Sequence, residues 1–427
     1  MLESFASGQR IPSPVARDRW FESRGNQFAR HLVHRQLQQF QRGQLTIQDP
    51  IGVNRFGVRL QAAPSASIQV HRSSFYRQVA LGGSLGAAES YIRGDWDSPN
   101  LTEAMQVLAG NMEALASVER GGAMLMRPLR TATNWLHRNT RRGSRRNISS
   151  HYDLSNAFFA LMLDPTMTYS SGFFDRAEST LEEASIEKYD RICRKLQLSA
   201  KDHVLEIGTG WGGFAEHAAK QYGCRVTTTT ISKQQHAYAA DRFRSQGLTD
   251  QVTLLNQDYR DLCGSFNKLV SIEMIEAVGE RYLPEYFAKC SQLLAPDGAM
   301  CLQAITIPDH RYERYRRSVD FIQHYIFKGG FLPSMGAIAN SVGRKTDFRF
   351  VHMEDIGSHY ANTLQMWRER FEKNLEAVQS LGFDERFIRT WRYYLSYCEA
   401  GFRERKIGVS QLLLSKPGCK LDVSTRA

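Results

Sequence analysis

The 427-residue chain has no apolar run that approaches the roughly 20 residues of a membrane-spanning helix. Its first twenty residues, MLESFASGQRIPSPVARDRW, contain no continuous apolar segment, so we expect no secretory signal peptide there. The seven cysteines are scattered, without a C-x-x-C pair or a histidine and cysteine group at zinc spacing. These absences argue against a membrane-spanning or disulfide-framework protein. They predict a cytoplasmic protein with reduced thiols and no bound metal.

Acidic residues are missing from one long stretch, RPLRTATNWLHRNTRRGSRR, which runs from Arg127 to Arg146. The whole chain carries a net charge of +11, and its isoelectric point is near 9.3. Such an excess of positive charge favours an acidic partner, either nucleic acid or an anionic membrane surface. The stretch is therefore either a solvated basic linker or a surface that binds lipid phosphates, with Trp135 as an interfacial anchor.

The order of predicted elements divides the chain into three parts. We expect a small α+β domain over residues 1–125, the basic linker over 126–146, and an α/β domain over 147–419. The strands DHVLEIG, CRVTTTTIS, QVTLLNQD, KLVSIEM and AMCLQAITI alternate with helical segments, which is typical of a doubly wound parallel sheet. Residues 307–349, rich in Tyr, Phe and Arg, predict a helical insert over a substrate pocket. IGVSQLLLSK is predicted to be a late edge strand.

A glycine-rich segment, VLEIGTGWGGF, follows the start of the α/β domain and fits two cofactor fingerprints. Gly208, Gly210 and Gly213 satisfy the G-x-G-x-x-G of a dinucleotide-binding turn. Glu206 followed by Gly208, Gly210 and Gly212 satisfies the E/D-x-G-x-G-x-G of an S-adenosylmethionine (SAM) methyltransferase. Both fingerprints place glycines between a strand and a helix, because only glycine lets the backbone approach a cofactor this closely.

A nicotinamide cofactor also needs an acidic residue at the end of the next strand, and none is present. That strand ends in hydroxyl side chains followed by Lys233, Gln234 and Gln235. Glu206, in contrast, stands where a carboxylate could meet the charged methionine end of SAM, and Asp258 ends a third strand, where it could grip adenosine. The ordered set of features predicts SAM.

Several segments resemble one family in their order along the chain. HYDLSNAFFALMLDPTMTYSSGFF, VLEIGTGWGG, TISKQQ, QDYRDL, SIEMIEAVG and YYLSYCEAGFR are similar to cyclopropane-fatty-acid synthases, which include the mycolic acid cyclopropane synthases. The resemblance runs from about Asn147 to Lys416. It implies a seven-stranded class I SAM methyltransferase sheet. It also implies methylation of a cis double bond in an acyl chain, usually in a phospholipid, to give a cyclopropane.

The resemblance assigns SAM contacts to eleven residues. Tyr169 and Ser170 would contact SAM from a lid segment, and Ile272 would line the floor of the site. The remaining residues would cradle the methionine end, hold the ribose or flank the adenine: Glu206, Gly208, Gly210, Gly212, Thr230, Gln235, Asp258 and Tyr259.

Methyl transfer to an alkene leaves a carbocation, from which a base must remove a proton. In the family this base is thought to be a bicarbonate ion, and Glu276, Tyr360 and the backbone of Ile305 match its holders. Two other holders, a cysteine and a histidine, are replaced here by Ser171 and Gln303. These departures weaken the expectation of bicarbonate and of a cyclopropane. The alternative is a methyl- or methylene-branched product, with Glu276 as the base and Tyr360 orienting it.

Cys398 matches a cysteine regarded as catalytic in relatives. It also shares a helical face with Trp391, Tyr394, Leu395 and Phe402, which favours a buried core thiol. Both interpretations stay open for this residue, and His151 and the aromatic residues of the insert are equally open between packing and substrate contact.

Three other functions fit the sequence less well than lipid methylation. A small-molecule N-methyltransferase would share the fold, but Ala277 stands where those enzymes have a histidine. A nucleic-acid methyltransferase would suit the charge, but no N-P-P-Y motif is present. A SAM-binding scaffold without activity is disfavoured by the intact SAM residues. We therefore expect an unsaturated phospholipid substrate, docking on anionic lipid through the stretch from Arg127 to Arg146, and no nucleic-acid partner. The expected location is the inner face of the membrane, and a homodimer stays open.

Overall fold

The computed structural model describes residues 24–59, 62–115 and 154–421. The basic stretch with Trp135 and the motif residue His151 lie outside the described residues. Contacts between residues divide the described chain into two units. Unit 1 contains the described residues up to 115 together with Glu385–Glu404, and unit 2 contains the rest.

Unit 1 is built on a small sheet with the strand order β2-β1-β3-β4. Strand β1 pairs antiparallel with β2 and parallel with β3. The elements are α1 (Arg24–Leu37), β1 (Gln44–Asp49), β2 (Gly52–Gly57), β3 (Ser65–Val70), α2 (Ser74–Ile92), β4 (Trp96–Asp97) and α3 (Leu101–Gly110). The mixed α+β character expected from the sequence is present in these residues.

Unit 2 contains a seven-stranded sheet with the order β10-β11-β9-β8-β5-β6-β7. Its strands are β5 (His203–Ile207), β6 (Arg225–Thr229), β7 (Val252–Leu255), β8 (Phe266–Ile272), β9 (Leu294–Thr306), β10 (Arg349–Asp355) and β11 (Gly408–Ser415). Strands β5 to β9 pair in parallel, and β11 is antiparallel to both of its neighbours. The predicted class I methyltransferase fold is confirmed. The prediction of a late edge strand is wrong, because β11 lies between β9 and β10.

Unit 2 contains nine helices in the described residues besides its short 3-10 and π segments. They are α4 (Asn156–Met162), α5 (Leu181–Leu196), α6 (Gly213–Tyr222), α7 (Lys233–Ser245), α8 (Leu283–Leu293), α9 (Asp309–Tyr315), α10 (Met335–Lys345), α11 (Gly357–Lys373) and α12 (Leu375–Ser380). Five of them, α5, α6, α7, α8 and α10, pack on the two faces of the sheet. Successive strand residues point to opposite faces, so Leu205 and Leu412 pack with α8 and α10 while Val204 and Leu413 pack with α5, α6 and α7. Both faces are apolar, as a doubly wound sheet requires.

The predicted insert at 307–349 has two parts with different roles. Helix α9 and a π-helix at Ile322–Ile326 stand above the end of β9. Helix α10 instead packs against α8 through Ile338 and Val342 and belongs to the layer that covers the sheet. A second helical insertion, which begins with α11, separates β10 from β11.

The last helix, α13 (Glu385–Arg403), contributes to unit 1. Its buried face includes Ile388 and Trp391, and it contacts α2 and α3. The Arg389 guanidinium donates hydrogen bonds to the carbonyl of Tyr91 at 2.6 Å and to Asp97 at 2.8 Å. The sequence analysis placed this helix in the α/β domain of residues 147–419. Its apolar face shows that it packs on a core, but the sequence could not show which core.

Candidate active site

The glycine turn lies between the end of β5 and the start of α6. Gly208, Gly210 and Gly212 all have positive φ, at 106°, 53° and 90°. A Cβ at Gly212 would lie 2.9 Å from the ring of Phe243, and one at Gly208 would lie 3.2 Å from Met274, so these glycines allow close packing within the protein. A Cβ at Gly210 would meet no atom within 4 Å. The backbone at Gly210 is therefore the part of the turn that a cofactor can approach.

Four other predicted SAM residues, Thr230, Gln235, Asp258 and Tyr259, follow the carboxyl ends of the next two strands. The Thr230 hydroxyl donates to Gln235 Oε1 at 3.0 Å, which joins the end of β6 to the first turn of α7. After β7, the Asp258 carboxylate accepts from the Arg260 guanidinium at 2.6 Å. Tyr259 packs against Tyr286 with ring centroids 5.5 Å apart. The fold thus places these residues along the sheet edge where doubly wound proteins bind cofactors. Their contacts with SAM stay predictions.

Glu206 is buried below the glycine turn. Its carboxyl accepts a hydrogen bond from the Thr228 hydroxyl at 2.5 Å. Burial raises the pKa of Glu206 to about 8, although the Thr228 bond and the charge of Lys188 favour the ionised form. The predicted contact with the methionine end of SAM is untested, and within the protein the partner of Glu206 is Thr228.

Lys188 on α5 is a buried cation that the sequence analysis missed. Its Nζ donates to the Ser170 hydroxyl at 2.7 Å and lies 4.3 Å from the centre of the Tyr189 ring. Burial lowers the pKa of Lys188 to about 8, while the nearby carboxyls of Glu273 and Glu206, among others, favour its charged form. A lysine among the apolar positions of an amphipathic helix was the signal that could have identified it.

Glu273 follows directly after β8 and is the centre of a hydrogen-bonded cluster. Its Oε1 accepts from the backbone N–H of Ser171 at 2.9 Å and from Nε2 of Gln303 at 2.7 Å. Its Oε2 accepts from the hydroxyl of Tyr360 at 2.7 Å. Burial raises the pKa of Glu273, and the bonds from Tyr360, Ser171 and Gln303 together with Lys188 oppose that rise. Three residues predicted to hold an anion therefore all bind one carboxyl of the chain.

Glu276 lies in the short 3-10 helix Ile275–Ala277, three residues after Glu273. Its Oε1 accepts from the backbone N–H of Ile305 at 2.5 Å, and its Oε2 is buried without a hydrogen-bond partner. Burial and the neighbouring Glu273 carboxyl raise the pKa of Glu276 to about 8. Two neighbouring carboxyls do not both ionise easily, and the one with fewer donors keeps its proton. Glu276 is therefore the protonated member of the pair at neutral pH.

One detail of the predicted site is wrong. Tyr360 donates to Glu273 and does not orient Glu276. Ser171 contributes its backbone N–H to the cluster, while its hydroxyl is turned away and donates to the carbonyl of Gly172 at 2.9 Å. Gln303 also lies in this cluster. Its partner there is Glu273, which stands in the quoted motif SIEMIEAVG but received no role in the sequence analysis.

A cluster of aromatic side chains lies beside these carboxyls, joined to Glu273 through Tyr360. The ring of Tyr169 lies 5.2 Å from Phe159, 5.1 Å from Trp367 and 6.3 Å from Phe327 of the first insertion, measured between centroids. Tyr360 contacts Trp367 edge-on at 6.0 Å. Apolar walls of this kind exclude water, and aromatic faces stabilise positive charge. The predicted lid residue Tyr169 is thus the centre of the wall.

The segment that carries Tyr169 and Ser171 is held firmly by α11. The N–H of Gly172 donates to the Thr363 hydroxyl at 3.0 Å, and the N–H of Phe174 donates to Nδ1 of His359 at 3.1 Å. The ring of Phe173 stacks on His359 with centroids 4.2 Å apart. Burial lowers the pKa of His359, so its neutral ring accepts the Phe174 bond. These contacts fix the Ser171 N–H in position toward Glu273.

Cys398 is not part of this cluster. It lies on α13, which belongs to unit 1, and the hydrogen bonds that hold Glu273 and Glu276 all come from unit 2. Its neighbours Trp391, Leu395 and Phe402 are buried on the same helix. Cys398 itself is half-buried, so both interpretations of this residue stay open.

The described residues contain neither a candidate metal cluster nor a candidate membrane-spanning helix. Residues 24–59, 62–115 and 154–421 contain no cluster of three or more His, Cys, Asp or Glu side chains suited to a metal ion. In the same part of the chain, no helix has both the length and the apolar character needed to cross a membrane.

Known proteins resemble this chain over most of its length. A sequence profile for mycolic acid cyclopropane synthetase matches residues 139–412. The tuberculostearic acid methyltransferase of Mycobacterium tuberculosis is 42% identical over 363 residues, which cover 82% of this chain and 84% of that protein. The cyclopropane-fatty-acyl-phospholipid synthase of Escherichia coli K12 is 34% identical over 372 residues, which cover 85% and 91%.

Solved structures give the same result for unit 2. A mycolic acid cyclopropane synthase complexed with S-adenosylhomocysteine and CTAB matches with a TM-score of 0.60 at 31% identity, covering 64% of this chain and 98% of that one. The bound S-adenosylhomocysteine agrees with the cofactor predicted from the glycine turn. This chain belongs to the mycolic acid cyclopropane synthetase family and is a SAM-dependent methyltransferase.

Proposed function

We propose that the protein methylates a cis double bond in an unsaturated phospholipid acyl chain and releases a methyl- or methylene-branched alkene. The observation that carries this proposal is the Glu273 carboxylate, held by three donors, one of which, Tyr360, belongs to the aromatic cluster around Tyr169. An anion in an apolar, water-excluding space suits a reaction that passes through a carbocation.

The chain's residues account for each requirement of alkene methylation. Bound SAM supplies an electrophilic methyl group, and the open backbone at Gly210 fits its approach. An alkene is a weak nucleophile, so the aromatic wall around Tyr169 must position it and exclude water. Aromatic faces and the Glu273 carboxylate stabilise the cation, and a carboxylate in this position can accept the proton that the cation must lose.

The product depends on what happens to the cation before it loses that proton. Immediate loss from the new methyl group closes a cyclopropane ring. If a hydride first shifts from the methylated carbon to its neighbour, loss of the same proton gives a methylene branch. Glu273 accepts three hydrogen bonds, which weaken a carboxylate as a base and lengthen the life of the cation. The relative with 42% identity is named as a methyltransferase of a fatty acid and not as a cyclopropane synthase, which also supports an open product.

A cyclopropane is the second candidate product. The relative with 34% identity is named as a cyclopropane-fatty-acyl-phospholipid synthase, and it matches 85% of this chain. That name also supports phospholipid as the substrate class. The basic stretch from Arg127 to Arg146 would hold the protein on anionic lipid at the inner face of the membrane.

The test is turnover on vesicles that contain a cis-monounsaturated phosphatidylglycerol or phosphatidylethanolamine, with SAM as the methyl donor. We expect acyl chains heavier by one CH₂. Their proton NMR spectrum should show either a methyl-branched alkene or the two protons of an exocyclic methylene group (C=CH₂). Ring methylene protons far upfield would show the cyclopropane instead. Labelled methyl groups found only on an added amine, and none on lipid, would contradict lipid methylation altogether.

A further inference from the structure

We propose that Glu273 is the catalytic base of this enzyme and takes the place that the sequence resemblance gave to bicarbonate. This inference rests on the proposed alkene methylation. It adds a catalytic residue that neither the glycine turn nor the motif comparison identifies.

Glu273 already accepts hydrogen bonds from three of the residues expected to hold an anion. Ser171, Gln303 and Tyr360 come from the lid segment, β9 and α11, and all three donate to its two oxygens. The remaining expected donor, the N–H of Ile305, is bound to Glu276. A bicarbonate ion would have to displace one carboxyl and lie against the other. The residues present therefore do not fit bicarbonate.

A chain of hydrogen bonds fixes the orientation of the Gln303 amide. Gln411 on β11 donates from Nε2 to Oε1 of Gln303 at 3.0 Å. Lys195 in turn donates to Oε1 of Gln411 at 2.6 Å and to Glu354 on β10 at 2.5 Å. Because Lys195 can only donate, it fixes the direction of both amides in this chain. The Nε2 of Gln303 is thus made to face Glu273 and favours its ionised form.

The backbone supplies a further argument. Glu273 has φ of 49°, in the left-handed region that glycine adopts readily and other residues avoid. Strain of this kind persists where the surroundings hold a residue for a purpose. Its own N–H is bound to the carbonyl of Gln303 at 2.8 Å, so the strained residue is fixed from both backbone and side chain.

The protonation of the carboxyl pair suits the role. Glu276 has one backbone donor and an oxygen without a partner, so it is the carboxyl of the pair that favours the protonated form. The three donors and the nearby buried ammonium of Lys188 favour the ionised form of Glu273, against the rise in its pKa that burial causes. Burial and this neighbour still raise the pKa of Glu276 to about 8, so the arrangement holds at neutral pH.

The proton transfer balances without another reactant. After the alkene has used its π electrons to bond the methyl group, the electron pair of a C–H bond forms the new C=C or ring C–C bond. The proton passes to Oε2 of Glu273, which has a lone pair beyond the one used by Tyr360. Glu273 becomes a neutral acid and returns the proton to water after the product leaves.

One experiment tests the site without any turnover. Carbon-13 bicarbonate is titrated into the SAM-loaded wild-type protein and into Glu273→Gly, and binding is followed by NMR line broadening. Glycine is unstrained at this φ, so the variant should fold. We expect no saturable binding by the wild type, and a new bicarbonate site in the variant where the donors are released. Saturable bicarbonate binding by the wild type, or no gain in bicarbonate binding by the folded variant, would overturn the proposal.

A second experiment uses the lipid assay in buffer freed of carbon dioxide. The wild type should turn over at full rate, whereas Glu273→Gln should bind SAM normally and lose at least about 100-fold in kcat. Added formate should restore part of the activity of Glu273→Gly, because it can occupy the released donors. Glu280→Gln, at an exposed carboxyl paired with Arg316, is the matched control and should retain activity.

The outcomes separate this inference from the proposed function. A wild-type enzyme that needs bicarbonate, or a Glu273→Gln variant within about threefold of the wild type, would overturn Glu273 as the base while leaving lipid methylation intact. If the wild type methylates no lipid, the proposed function fails, and the bicarbonate titration then decides on its own whether Glu273 occupies the anion site.

Discussion

The Tyr360 hydroxyl donates a hydrogen bond of 2.7 Å to Glu273, and this contact joins helix α11 to the end of strand β8. The two residues are 87 positions apart in the chain. The bond both stabilises the ionised carboxyl and closes one side of the candidate active site. Variants of the two partners therefore separate electrostatic effects from packing effects.

Replacing Tyr360 with Phe should raise the pKa of Glu273, because the ionised carboxyl loses one donor. The base must be ionised to act, so the acidic limb of the kcat profile should move to higher pH. The loss of one hydrogen bond should also lower the free energy of unfolding by about 1 kcal/mol. Activity measured across pH and thermal unfolding check these two effects.

Tyr222→Phe is the matched control, because Tyr222 donates to Asp190 at 2.7 Å elsewhere in unit 2. It should lose similar stability without moving the pH profile. A Tyr360→Phe profile that overlays the wild type would contradict an electrostatic role for the hydroxyl.

Glycines 210 and 212 should respond differently to the same substitution. Gly210→Val places a side chain in open space above the turn, so SAM binding should be lost while the protein stays folded. Positive φ alone should cost this variant about 1–2 kcal/mol. Gly212→Val would also drive its side chain into Phe243 and should be much less stable.

Calorimetry with SAM and thermal unfolding distinguish the two variants. Unchanged SAM affinity in a folded Gly210→Val protein would remove the turn from the cofactor site.

Glu276→Gln should alter how stability depends on pH. The pKa of Glu276 rises from an ordinary 4.5 to about 8 on folding, so the native state favours the protonated carboxyl. This contribution is fully present below pH 4.5 and is lost as pH rises through 8. Glutamine stays neutral, so the variant should gain on the order of 3 kcal/mol relative to the wild type between pH 5 and pH 9.

The measurement is unfolding in denaturant at both pH values, with Glu285→Gln on the exposed face of α8 as the control. A difference between variant and wild type that stays constant with pH would show that Glu276 is not held protonated.

Ser171→Ala should reduce activity far less than Gln303→Leu. Serine contributes its backbone N–H to Glu273, and that group survives the change to alanine. Gln303→Leu removes a side-chain donor and leaves Gln411 without its acceptor, which should cost 10-fold or more in kcat by an estimate of about 1.5–3 kcal/mol for a bond to a charged group. Equal losses in the two variants would contradict the geometry of the cluster.

The basic stretch can be tested apart from the site. Neutralising Arg141, Arg142, Arg145 and Arg146 should weaken binding to anionic vesicles, since each arginine near the surface contributes on the order of 1 kcal/mol. Salt should weaken wild-type binding in the same way. Co-sedimentation that is insensitive to both changes would favour the interpretation of this stretch as a linker.

The fold could be predicted because alternating apolar strands and helices leave few arrangements of a parallel sheet. The position of β11 could not be predicted from its place at the end of the chain. Seven of its eight residues are buried, which is the pattern of a central strand. The grouping of α13 with unit 1 could not be predicted for a similar reason, since an amphipathic helix does not reveal which surface it covers.

The sequence identified three residues of the candidate site but not Glu273, the carboxyl to which they donate hydrogen bonds. Ser171, Gln303 and Tyr360 were each chosen by resemblance, and they lie 102, 30 and 87 positions from Glu273. Their convergence on that carboxyl depends on the register of β8 with β9 and on the docking of α11, which no local pattern contains. The available signal was Glu273, a glutamate that directly follows a buried strand and precedes a second glutamate, Glu276, by three residues.

The most direct test uses SAM with a carbon-13 methyl group, vesicles of a cis-monounsaturated phospholipid, and buffer freed of carbon dioxide. Carbon NMR of the extracted lipid reports both whether methyl transfer needs bicarbonate and which carbon skeleton forms. We predict label in a methyl or methylene branch of an open alkene at the full wild-type rate. Lipid that remains unlabelled until bicarbonate is added, or label found in a cyclopropane ring, would contradict this account.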